Sequence, residues 1–156
     1  MRIIIESIDH KDQRYPTTGD WQTEEYVEGS PQVFVTVSRM GDWRYEALVG
    51  IHEAIEAALC KHAGIDGEDV DAFDKEFEAA REAHEPVRQH CETRELFTFR
   101  GKQYDIGAEP GDDPEAPYYY QHQMATGVER ILAAELGVSW NDYEAANLAL
   151  YEGGPV

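Results

Sequence analysis

Val33-Phe34-Val35-Thr36-Val37-Ser38, a break at Met40-Gly41-Asp42, then Trp43-Arg44-Tyr45-Glu46-Ala47-Leu48-Val49-Gly50-Ile51-His52-Glu53-Ala54-Ile55-Glu56: along this stretch the apolar period changes from two to that of a helix. The first six residues, rich in β-branched side chains, read as a strand. Asp42 supplies an N-cap, and the helix that follows runs over 43–62 and stops at Gly64. Upstream, residues 2–8 and 21–27 read as further strands, so positions 1–40 predict a small antiparallel sheet. Downstream, Gly67-Glu68-Asp69 opens a second helix with the stripe Val70, Phe73, Phe77, Ala80 and His84, and Pro86 kinks or ends it within 41–92. Residues 93–107 read as a hairpin turning at Gly101, 108–118 as an acidic, Pro-rich loop, and 119–151 as helices over 119–136 and 141–151. The expectation is α+β: one domain over 1–156, its N-terminal antiparallel sheet packed on three to four helices.

Tyr45, Leu48, Val49, His52, Ile55, Glu56 and Leu59 form one stripe of the first long helix. An imidazole and a carboxylate among apolar neighbours must be neutralised, hydrogen-bonded or metal-bound, because burying an unpaired charge is costly. At i, i+4 the two side chains reach the same side of an ion, and the adjacent Glu53 is placed to act as general base on a water. A metal pair and a hydrogen-bonded structural pair both satisfy the pattern. A metal needs more protein ligands, and His122 is the first candidate. It begins the third helix after the acidic loop and shares a flank with Glu129, while the expected apolar face of that helix is Met124, Val128, Ile131 and Leu132. His84 is the second candidate. Asp74 and Glu78 read as a solvated acidic face or a second cation pair, and Cys60 as a buried thiol beside the site.

Thirty-two Asp and Glu against 13 Lys and Arg give the 156-residue chain a net charge of −19. A nucleic-acid partner is excluded on this balance, since phosphate binding needs a cationic footprint. A membrane is excluded too: anionic surfaces repel the chain, and no apolar run reaches the length of a span. A bound cation or a basic protein partner fits. Two cysteines without a Cys-x-x-Cys spacing read as reduced thiols of a cytoplasmic protein, and Met1-Arg2-Ile3-Ile4-Ile5-Glu6 lacks the character of a signal peptide.

His52-Glu53-Ala54-Ile55-Glu56 behind a strand resembles the H-E-x-x-H helix of zincin-type metallopeptidases over 43–63, with Glu in place of the second His. That resemblance implies a divalent metal, zinc, on His52, Glu56 and His122, with Glu53 as the catalytic base acting on a peptide or other small substrate. Most of the chain, through Tyr15-Pro16-Thr17, Gly41-Asp42-Trp43-Arg44-Tyr45-Glu46, Glu109-Pro110-Gly111-Asp112-Asp113-Pro114 and Gln121-His122, is also similar to small proteins of phage and prophage origin. The host cytoplasm is the compartment this implies. Two further functions follow from the residues. One is a non-enzymatic acidic protein that binds and inhibits a basic host partner. The other is a helical nucleotide pyrophosphohydrolase, for which Glu53-x-x-Glu56 matches half of the motif and Asp74 with Glu78 departs from the rest.

Overall fold

A computed structural model of the chain describes residues 1–27, 30–83 and 96–151. Its elements are β1 (Arg2–Ile8), β2 (Gly19–Val27), β3 (Ser30–Ser38), α1 (Trp43–Ala63), α2 (Gly67–Glu82), β4 (Leu96–Phe99), β5 (Lys102–Asp105), α3 (Tyr119–Glu135) and α4 (Trp140–Tyr151), an α+β fold. Alternation on β3 works as expected: Val33, Val35 and Val37 are fully buried, and Phe34 and Thr36 lie on the half-covered face. Leu48, Val49, Ala57 and Cys60 of α1 close over the three valines, and these residues belong to one contiguous apolar core. Gly50 permits that closeness, since a Cβ there would stand 2.6 Å from Ile5 Cγ2 on β1.

The three-stranded sheet has the order β1-β3-β2. β2 pairs with β3 antiparallel, as expected, with Trp21 opposite Val35. β1 pairs with β3 in parallel, Ile3 opposite Val33, so the sheet is mixed rather than purely antiparallel. The reason lies in the segment between β1 and β2, which crosses the end of β3 instead of turning back in a hairpin. Its polar residues are held there by Ser38: Gln13 Nε2 donates to the Ser38 hydroxyl at 3.2 Å, and that hydroxyl donates to the Thr17 carbonyl at 3.0 Å. Side-chain alternation is the same in parallel and antiparallel strands, so local pattern could not distinguish them.

The helix signals are local and hold. Asp42 Oδ1 accepts from the Arg44 amide at 2.9 Å, and Gly64 takes the left-handed conformation with φ 73° at the end of α1. Asp66 caps α2 in the same way. Phe77 of α2 meets Phe97 and Phe99 of the β4–β5 hairpin edge-on, each with ring centroids 5.0 Å apart. The hairpin turns through Arg100 and Gly101, whose φ values of 46° and 79° are the doubly positive pair of a tight two-residue turn.

α3 is rotated from its expected orientation, with Val128 half-buried and Leu132 still packed against the core. Met124 and Ile131 are 61% and 65% exposed, whereas His122, Ala125, Glu129 and Ala133 are buried against the rest of the protein. The flank carrying the imidazole and the carboxylate therefore faces inward, where polar partners on α1 and α4 satisfy both groups, and the small alanines let α3 come close. Among the described residues no helix is long and apolar enough to cross a membrane.

Candidate metal centre

α1 and α3 bring His52, Glu56 and His122 together in the interior, each no more than 5% exposed. His52 Nε2 lies 3.2 Å from His122 Nδ1 and 3.5 Å from Glu56 Oε2, and His122 Nδ1 lies 3.0 Å from that same oxygen. These three atoms form a nearly equilateral triangle. An ion bound tetrahedrally at about 2.0–2.1 Å sets its ligand atoms about 3.3–3.4 Å apart, so the triangle matches one face of such a site. The group could hold a metal ion, and two imidazoles with one glutamate is an established donor set for catalytic zinc.

Every ligand is also fixed from behind. Glu129 Oε2 lies 3.0 Å from His52 Nδ1 and orients that ring with Nε2 toward the triangle. Glu129 in turn accepts a hydrogen bond from the Tyr143 hydroxyl on α4. Glu109 Oε2 lies 3.2 Å from His122 Nε2, which leaves Nδ1 as the inward nitrogen. The outer oxygen of Glu56 accepts from Trp21 Nε1 on β2 at 2.8 Å. Gly111 completes the setting of His122: a Cβ there would stand 2.2 Å from the ring carbon Cγ, so only glycine lets the loop before α3 lie on the imidazole.

Charge is balanced inside this group. Burial favours the neutral imidazole of His52, but its hydrogen bonds to Glu129 and Glu56 outweigh burial and raise its pKa well above the usual value. In His122 burial likewise opposes protonation, and Glu109 and Glu56 lift the pKa to about 10. Burial works to raise the pKa of Glu56, yet its bonds to His122 and His52 bring it down to about 2. Without an ion, then, the two imidazoles carry protons that neutralise the carboxylates around them. A divalent cation would replace those protons charge for charge.

Glu53, one residue along from His52, opens into the same cavity of about 60 Å³, against Gly19 of β2. Burial and then the neighbouring Glu56 charge push its carboxyl well above the ordinary range. A cavity of this size has room for an ion with a few waters. Its far wall is a buried acid that the sequence had placed on a solvated face. Asp74 is 8% exposed and accepts from the Tyr118 hydroxyl at 2.5 Å and from the Tyr15 hydroxyl at 3.2 Å. Glu78 is also buried, ion-paired with Arg81 at 3.0 Å. Both acids lie inward because tyrosine hydroxyls and a guanidinium supply the donors that water would otherwise give. The rim is tied by Arg14, which forks between Asp20 at 2.6 Å and Asp71 at 2.5 Å.

His52, Glu53, Glu56 and His122 therefore meet at one place. Cys60 is buried one turn beyond Glu56, with its thiol pushed up to about 12 by burial and then by the charge of Glu56, and is an inert neighbour. His84 lies outside the described residues. Trp21, Glu109, Glu129 and Tyr143 were not singled out as site residues. The spacing of Glu129 seven residues after His122 was the one sequence signal that could have found any of them. The chain matches no protein-family model, no curated protein and no solved structure with which it was compared.

Proposed function

We propose that this protein is a zinc-dependent hydrolase of the metallopeptidase kind. The observation that carries the reading is the triangle of His52 Nε2, Glu56 Oε2 and His122 Nδ1, with edges of 3.0–3.5 Å and every outward polar atom engaged. The two inward imidazole nitrogens, 3.2 Å apart, both point at the Glu56 carboxylate, as ligands converging on one ion would. Zinc suits two imidazoles and a carboxylate, and it would polarise both a water and the substrate carbonyl. Glu53 stands in the same cavity as the three ligands; a bound cation would offset the Glu56 charge that raises its carboxyl, leaving it ionised to accept the proton of the attacking water. The water oxygen bonds to the carbonyl carbon, the amide C–N bond breaks, and Glu53 returns the proton to the departing nitrogen. Glu129 and Glu109 hold the imidazoles in register throughout.

Metal analysis beside activity tests this reading. The purified wild type is expected to carry one zinc per chain, and His52→Ala and Glu56→Ala to carry none. Glu53→Gln is expected to keep its zinc and to lose about 10²–10⁴-fold in the cleavage of a quenched peptide library. A wild type that binds no zinc, whether as purified or after reconstitution, ends the proposal. The net charge of −19 supports the second reading, an acidic protein that occupies a basic partner. Such a complex would dissolve with salt and ignore chelators.

A further inference from the structure

The three-stranded sheet ends on β1, and among the described residues no strand pairs with its outer edge. Such an edge offers a row of backbone donors and acceptors to another strand. The opposite edge, β2, is blunted by the exposed polar side chains of Gln22, Thr23 and Glu24. β1 instead carries Ile3-Ile4-Ile5. Ile3 and Ile5 are 44% and 47% exposed, although the residues they face on β3, Val33 and Val35, are fully buried. α1 thus covers β3 and leaves the rim of β1 open. An open apolar edge is a liability unless something pairs with it.

The pattern of β1 selects the occupant. Arg2 and Glu6 flank Ile4 symmetrically and share its face of the strand, while Ile3 and Ile5 lie on the other. A second β1 running antiparallel, about a two-fold axis normal to the sheet, keeps each face on its own side. A residue can then oppose only one from the same face. Centred on Ile4, that pairing sets Arg2 opposite Glu6 of the second copy, Glu6 opposite Arg2, and Ile3 opposite Ile5. Centred on Ile3 or on Ile5, it sets a charge against Ile4. Parallel pairing in register sets Arg2 against Arg2. Glu6 is exposed and has no hydrogen bond or ion pair among the described residues. A guanidinium carries several N–H donors, so Arg2 can take a carboxylate beside another contact.

We propose that two copies of this chain pair through β1, antiparallel and centred on Ile4, into one continuous sheet of order β2-β3-β1-β1-β3-β2. β1 contributes no residue to the cavity of His52, Glu56 and His122, so this pairing is independent of the hydrolase reading.

Sedimentation velocity from about 1 μM to 1 mM protein tests it. Sodium chloride at about 0.15 M screens the repulsion between two chains of net charge −19. The wild type is expected to dimerise. Glu6→Arg and Arg2→Glu each set like charges opposite one another, and each is expected to weaken dimerisation at least about tenfold. Glu6→Arg also lowers the net negative charge, so diffuse repulsion alone would give the reverse effect. Mixed together, the two variants regain opposite charges at both pairs, and their heterodimer is expected within about threefold of the wild-type affinity. Should either variant fail to fold, Ile4→Cys decides: mild oxidation that leaves the wild type uncrosslinked is expected to link two copies at position 4, and Glu68→Cys on α2 to stay unlinked. A wild type monomeric throughout the range overturns the proposal, as does an Ile4→Cys protein that forms no covalent dimer. A dimer that neither charge reversal weakens overturns it too, moving the interface to another surface such as the exposed Tyr120, Met124 and Ile131 of α3.

Discussion

His52 has two ring nitrogens with different work: Nδ1 meets Glu129 at 3.0 Å, and Nε2 points into the triangle. Removing the outer partner should loosen the ring without deleting the ligand. Glu129→Gln is therefore expected to lower zinc affinity about 10–100-fold while stoichiometric binding survives at high zinc, as measured by competition with a chromogenic chelator. Protonation gives a second prediction. The imidazole of His122 is raised from about 6.5 to about 10, so its pairing stabilises the metal-free fold fully below pH about 6.5 and fades as pH rises toward 10. Glu56 is lowered from 4.5 to about 2, so its contribution is present above pH about 4.5 and is lost as pH falls through 2. On the zinc reading, the cation would displace the imidazole protons. Calorimetry at pH 7 in buffers of different protonation enthalpy should register about two protons released per zinc, one from each ring, with affinity rising with pH. Release of no protons would mean that the rings are neutral beforehand and that the charge balance argued for this site is wrong.

At the scale of elements, α3 and the loop before it decide whether His122 can be a ligand at all. Gly111 presses on the imidazole, and a methyl group there has no free space. Gly127 lies on the same helix as His122 with nothing within 4 Å of a Cβ position. Gly111→Ala is expected to displace the ring, lowering both zinc affinity and Tm. Gly127→Ala should leave zinc binding unchanged and raise stability by about 0.5–1 kcal/mol, the ordinary gain of Ala over Gly within a helix. Thermal melts with and without zinc distinguish the two. α3 is also where reading by period failed. Met124, Val128, Ile131 and Leu132 form the better apolar stripe, yet the helix buries His122, Ala125, Glu129 and Ala133. A stripe score counts apolar side chains; it cannot count partners on other helices that make a buried Glu and His cost little. On α1 the same kind of reading succeeded, because Leu48 and Val49 flank His52 and the His52–Glu56 pair shares its face with the core.

For the whole molecule, 32 acids against 13 Lys and Arg mean that most surface carboxylates repel one another. The metal-free protein is expected to gain Tm as sodium chloride rises toward about 0.15 M, because screening weakens that repulsion over a Debye length of about 8 Å. A Tm that falls over this range would show that attractive ion pairs, such as Arg14 with Asp20 and Asp71, outweigh it. The sequence by itself determined what depends on neighbours along the chain: the alternation on β3, the Asp42 and Gly64 caps, the Arg100–Gly101 turn, and the pairing of His52 with Glu56 one helical turn apart. Each is set by backbone geometry and side-chain period within a few residues. Only the tertiary structure decided the parallel partner of β1, the inward face of α3, and the partners Glu109, Trp21, Glu129 and Tyr143 around the ligands. These depend on which surfaces meet after the chain has closed on itself. Burial then converts distant carboxylates, an indole and a phenol into hydrogen-bond partners that no local spacing specifies.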